Sequence, residues 1–114
     1  MKRTFVYLRH FDKAWKLLGL TEKNNLELEK ILLENPSKGK MIKGTGGLRK
    51  VRIGLEHKGT SGGLRILYVD FENYKRLYFL FVYSKDENEN IAETQKQQFK
   101  NMINTLLGEL KRKG

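Results

Sequence analysis

Two runs in the second half of the chain constrain the fold most: residues 64–70 and 77–83. The first alternates Leu64, Ile66 and Tyr68 on one face with Arg65, Leu67 and Val69 on the other. The second, Leu-Tyr-Phe-Leu-Phe-Val-Tyr, is apolar on both faces. Strands that read apolar on both faces belong in the middle of a sheet. Glu72-Asn73-Tyr74-Lys75 lies between them and reads as a hairpin turn, so the two runs are antiparallel neighbours. A further strand over roughly 48–54 has two unlike faces, Val51 and Ile53 on one and Lys50 and Arg52 on the other. Near the start of the chain, Thr4-Phe5-Val6-Tyr7-Leu8 is β-branched and aromatic and reads as a strand of its own.

Helices fill the remainder. His10 and Phe11 begin a short one, in which Phe11, Trp15 and Leu18 recur at helical spacing; that period makes core packing the reading for Trp15. Gly19 ends it. Thr21 suits the N-cap of a second helix running to about Glu34, with Leu26, Leu28, Ile31, Leu32 and Leu33 on its apolar side and Asn35-Pro36 as its stop. The two helices read as an antiparallel hairpin on one sheet face. Asn90 and Glu93 resemble a capping box for a last helix, whose apolar face is Phe99, Met102, Ile103, Leu106, Leu107 and Leu110 and whose end carries Lys111-Arg112-Lys113. The order β-α-α-β-β-β-α predicts an α+β fold. An N-terminal strand and two-helix hairpin precede a three-stranded antiparallel meander that completes a four-stranded sheet, and a C-terminal helix closes it. Residues 1–114 read as a single domain.

Charge is distributed unevenly over this frame. The chain carries +10, and residues 38–65 alone hold eight Lys/Arg against Glu56, with eight of the eleven glycines. Cations on strands beside glycines that let a ligand approach the backbone suit a polyanion. Residues 1–37 are nearly balanced, with seven cations and five anions. A pI of about 9.9 favours RNA, DNA or an acidic protein. A membrane surface is disfavoured because the charge falls on strands and loops. With no Cys there is neither a disulfide nor a thiolate metal site, and two His without a carboxylate cluster argue against a metal centre. No apolar run approaches about 18 residues and the N-terminus lacks a signal-peptide pattern, so a cytoplasmic location is expected.

Three cations stand out by position: Lys58 in the turn before the third strand, Arg65 opening that strand, and Lys85 leaving the fourth. A hairpin sets the start of one strand beside the end of the other, which brings Arg65 near Lys85 with Lys58 leaning over both. Like charges so placed cost stability unless an anion, such as a phosphate, sits among them. The bland alternative is a solvated basic edge that deters strand-to-strand association. Lys43, Arg49, Lys50 and Arg52 are candidate phosphate contacts that position a strand without reading its sequence. Tyr68, Tyr78 and Tyr83 either stack bases or are half-buried strand residues. His57 either serves as a general acid/base or contacts RNA, or is simply solvated. Asp86, Glu87 and Glu89 read as a solvated acidic loop rather than as metal ligands.

The segments Gly44-Thr45-Gly46-Gly47-Leu48-Arg49-Lys50-Val51-Arg52, Lys58 with Gly62-Gly63-Leu64-Arg65-Ile66-Leu67-Tyr68, and Val82-Tyr83-Ser84-Lys85-Asp86-Glu87 together resemble the RelE/HigB superfamily of bacterial toxins, closest to its HigB branch. The resemblance implies a RelE-like fold and a ribosome-dependent mRNA endonuclease that cuts messages in the ribosomal A site without a metal or other cofactor. It also implies contact with ribosomal RNA and a cognate helix-turn-helix antitoxin through which alone operator DNA is bound. By position, the family's catalytic cations match Lys58, Arg65 and Lys85. The chain departs from the family in two places. The tyrosine that some relatives carry shortly after the last cation has no counterpart in Asp86-Glu87-Asn88-Glu89-Asn90-Ile91, and Leu64 stands where relatives often have an aromatic. The competing reading is a non-catalytic basic RNA- or DNA-binding regulator, which needs the charge but not the three-cation arrangement.

Overall fold

The computed structural model describes residues 2–55, 63–84 and 94–113. In chain order these form β1 (Thr4–Tyr7), α1 (Arg9–Leu17), α2 (Glu22–Glu34), β2 (Lys40–Met41), β3 (Leu48–Ile53), β4 (Leu64–Phe71), a 3₁₀ turn (Glu72–Tyr74), β5 (Arg76–Ser84) and α3 (Lys96–Lys113). The α+β class and the order of elements are as the sequence predicts. The strand count is not: the sheet has five strands in the order β1-β5-β4-β3-β2. The additional one is β2, which pairs Lys40 with Lys50 and Met41 with Arg49. By sequence, residues 37–47 read as a basic, glycine-rich connector, and β2 lies inside it; two residues carry too little alternation to announce a strand.

β4 and β5 take the central positions. β4 pairs antiparallel with both β3 and β5, while β1 lies parallel to the first half of β5, Thr4 opposite Arg76 and Tyr7 opposite Phe79. Each sheet face carries its own core. On one side α1 and α2 place Phe11, Trp15, Leu28 and Leu32 against Val51, Ile53, Leu64, Ile66, Tyr68, Leu77, Phe79 and Val82. On the other, Phe99, Ile103 and Leu110 of α3 cover Leu48, Leu67, Val69, Tyr78, Leu80 and Tyr83. A β-bulge interrupts β5: Tyr68 is opposite Phe79, yet Leu67 is opposite Phe81. Leu80 is the extra residue, and the alternation resets there. Phe79 and Val82 therefore share the α1/α2 face although they are three positions apart.

Local chemistry sets the helix ends. Thr21 caps α2 reciprocally with Asn24: the Thr21 hydroxyl accepts from the Asn24 N–H at 3.4 Å, and the Asn24 Oδ1 accepts from the Thr21 N–H at 3.0 Å. Trp15 is buried and stacks on Phe11. The capping box proposed at Asn90 and Glu93 lies outside the described residues. No helix among the described residues is long and apolar enough to cross a membrane.

Candidate nucleic-acid interface

The strand register decides which candidate cations meet. Arg65 is opposite Arg52 on β3 and opposite Tyr83 on β5. These three residues form a row across the sheet on the α3 face, which Leu67 and Leu48 share further along. Lys50 lies one step along that face, opposite Leu67. The row sits where β3 and β5 end and β4 begins. The chain runs directly from there into residues 56–62 and 85–93, so His57, Lys58, Lys85, Asp86, Glu87 and Glu89 lie outside the described residues.

Within the row, Arg52 is exposed while Arg65 is only 3 % exposed and Tyr83 is fully buried. Cross-strand like charges are destabilising, so an Arg opposite an Arg favours an anion nearby. The Arg65 guanidinium donates through Nη1 to the Gly63 carbonyl at 3.4 Å. Gly63 in turn has φ +84°, and a Cβ there would stand 3.1 Å from the Ile53 carbonyl oxygen. Glycine is what lets the chain enter β4 this close to β3 while supplying the carbonyl that braces Arg65. The Gly62-Gly63 motif was visible in the sequence, but the bracing role of the Gly63 carbonyl was not.

Other candidates go elsewhere. Arg49 falls on the α1/α2 face by alternation, opposite Tyr68. Its Nη1 donates to the Gly39 carbonyl at 2.6 Å and to the Ser37 carbonyl at 3.4 Å. Tyr68 is fully buried, accepts from the Gly39 N–H at 2.8 Å and donates to the Pro36 carbonyl at 2.8 Å. The two side chains thus fasten the segment 36–39 to the sheet, and Tyr68 is no stacking platform. Burial pushes its phenol above its ordinary value, against the opposing pull of the Gly39 N–H and the Arg49 charge. Lys43 belongs to the turn between β2 and β3. In that turn the buried Thr45 hydroxyl donates to the Ile42 carbonyl at 2.6 Å and accepts from the Leu48 N–H at 3.0 Å. The two glycine-rich turns therefore stand at opposite ends of β3. The first lies beneath α3, with Gly46 beside Ile103 and Asn104, and not beside Arg65.

The arrangement offers a buried guanidinium in a low-dielectric setting and a second, exposed one on the strand directly opposite. Fixed donors in such surroundings stabilise developing charge far better than the same groups in water. Among the described residues no three His, Cys, Asp or Glu side chains are grouped to hold a metal ion.

Comparison with known proteins agrees with this architecture. Residues 9–113 match the family model of the RelE toxin of the RelE/RelB toxin-antitoxin system. An arginine-to-alanine double mutant of E. coli toxin RelE in the free state superposes with TM-score 0.56 at 20 % identity, covering 85 % of this chain and 98 % of that one. The intact E. coli RelBE toxin-antitoxin complex matches with TM-score 0.53 at 21 % identity, over 75 % of this chain and 99 % of that one. The isolated E. coli RelE toxin matches with TM-score 0.53 at 20 % identity, over 83 % and 97 %. These structural likenesses carry the fold, and the family model spans nearly the whole sequence: the chain belongs to the RelE family of toxins of toxin–antitoxin systems.

Proposed function

We propose that this toxin is a ribosome-dependent mRNA endonuclease of the HigB branch, cutting translated messages in the A site and neutralised by a cognate helix-turn-helix antitoxin. Operator DNA would be engaged only through the toxin–antitoxin complex. The observation that supports this reading best is the row Arg52–Arg65–Tyr83, which gathers two guanidiniums at the strand ends from which Lys58 and Lys85 follow in sequence.

In the proposed reaction the ribose 2′-OH loses its proton and attacks the adjacent phosphorus. The bond from phosphorus to the 5′ oxygen breaks, that oxygen is protonated, and a cyclic phosphate is left. Arg65 holds the extra negative charge of the five-coordinate phosphorus with its fixed fork of donors. Lys58 acts as base or electrostatic partner, and Lys85 stabilises the phosphate or the leaving oxygen. Lys50 and Arg52 hold the message by its phosphates, and Lys43 and His57 complete the proposed RNA-contacting set, with Arg49 and Tyr83 as its supports. Arg49 and Tyr83 act there from within the fold, through the segment and the strand they hold.

Replacing Arg65 with Ala tests the assignment. Cleavage of a defined message on purified translating ribosomes is expected to fall by about 10²–10³-fold, the usual loss on removing one charge-stabilising donor. Circular dichroism of the same variant verifies that it folds. A folded variant with undiminished cleavage and toxicity would take Arg65 out of the reaction, and a wild-type protein that binds the ribosomes without cutting the message would leave the non-catalytic RNA-binding reading in its place.

A further inference from the structure

The opposite end of the sheet from Arg65 carries a second basic feature. A hollow of about 460 Å³ is lined by Lys2, Arg3, Leu33, Tyr74, Lys75 and Arg76, among others. Arg3 is committed: its Nε donates to the Asp70 Oδ1 at 2.7 Å and its Nη2 to the Oδ2 at 3.1 Å, with both side chains buried. The acids of this end, Asp70 and Glu72, both act on that same guanidinium. Lys2, Lys75 and Arg76 are exposed and make no salt bridge among the described residues. Three exposed cations thus rim a hollow at which Asp70 is already held by Arg3.

Lys75 adds an independent observation. It has φ +54°, the one non-glycine residue with positive φ among the described residues. A side chain there is strained where glycine would be relaxed. The conformation is fixed from both sides: the Lys75 N–H donates to the Glu72 carbonyl at 3.1 Å, and its carbonyl accepts from the Thr4 N–H at 2.8 Å. A strained backbone carrying a charged side chain is a reason to ask what the charge does.

We propose that the Lys2/Lys75/Arg76 hollow is a second RNA contact, which grips the phosphate backbone of ribosomal RNA while the Arg65 end engages the message. It rests on the ribosome-dependent reading above. Arg76 begins β5 and Tyr83 lies seven residues on, so the two ends are roughly 23 Å apart at about 3.3 Å per residue. That span exceeds what one nucleotide bridges, so the hollow meets a different stretch of RNA from the one at Arg65. Exposed, unpaired cations around a shallow hollow suit repeated phosphates, which reward charge without demanding a shaped pocket.

The test measures binding of fluorescently labelled toxin to purified ribosomes as a function of salt, for wild type, for Lys75→Gly and for the double variant Lys75→Glu/Arg76→Glu. The double variant is expected to bind at least tenfold more weakly at low salt and to show a shallower salt slope. Cleavage per bound toxin should stay unchanged. Lys75→Gly is the sharper probe, because relief of backbone strain should raise Tm while loss of the charge weakens ribosome binding. Wild-type affinity and salt slope in both variants would overturn the second contact. Unchanged ribosome binding with weakened capture of the purified cognate antitoxin would also overturn it, and would assign the hollow to an acidic protein segment. Should wild-type toxin itself fail to bind ribosomes, the ribosome-dependent reading fails first, so the two failures are told apart.

Discussion

Tyr7 shows how a single buried group makes stability depend on pH. Its hydroxyl donates to the Glu29 carboxylate, which ties β1 to α2. Burial, and then this hydrogen bond, push the phenol far above its ordinary value. In the unfolded chain the same phenol ionises near pH 10. Below about pH 10 both states hold the proton and the stabilisation is complete; above it the unfolded chain releases the proton while the folded one keeps it, so stability falls as pH rises. Tyr7→Phe is expected to cost about 1 kcal/mol at pH 7 and to lose less further stability than wild type by about pH 11. Urea unfolding at the two pH values measures this, and parallel losses in both proteins would refute it. No sequence pattern pointed to this pair, because residues 7 and 29 belong to different elements and meet only once α2 lies over β1.

Among the elements, the segment between α2 and β3 departs most from its sequence reading. It looked like a free basic connector, since Lys and Gly dominate it and no apolar period runs through it. Instead Tyr68 and Arg49 hold it at Pro36, Ser37 and Gly39, and this anchoring precedes β2. Gly39 makes the close approach possible: a Cβ at that position would stand 2.8 Å from the Tyr68 Cε1 and 2.9 Å from its Oη. Gly39→Ala is therefore expected to destabilise the protein by about 1–3 kcal/mol through overpacking, and Gly39→Ala in a Tyr68→Leu background by less than that. Urea midpoints of the single and double variants decide it; equal penalties in both backgrounds would exclude a clash with the ring. By contrast, α1, α2, β3, β4 and β5 were legible to within a residue or two, because long periodic runs with clear stops determine them. The face of Arg65 was legible as well, since alternation along β4 puts it on the side of Leu67 and Val69; its expected neighbours Lys58 and Lys85 lie outside the described residues. Burial of Tyr83 beside Arg65 was not legible, since alternation assigns a side chain to a face but does not say how deeply α3 covers that face.

At the scale of the whole molecule, charge and topology have separate consequences. A protein of net +10 with cations at both ends of its sheet should bind ribosomes with strong salt dependence. A fall in affinity of at least tenfold between about 50 and 200 mM monovalent salt is expected, and an affinity insensitive to salt would argue against a phosphate-led interface. The overall plan was readable because two strands apolar on both faces demand cover on both, which α1, α2 and α3 provide. What topology adds is an order of events. The first strand finds its neighbour only in the last, Thr4 beside Arg76, and the strand in the middle also needs that last one along its whole length. A growing polypeptide that ends before residue 76 can close neither pairing. On the proposed reading, a cell translating this gene makes no working nuclease from a message interrupted ahead of β5, and the ribosome meets the toxin only once that strand has been made.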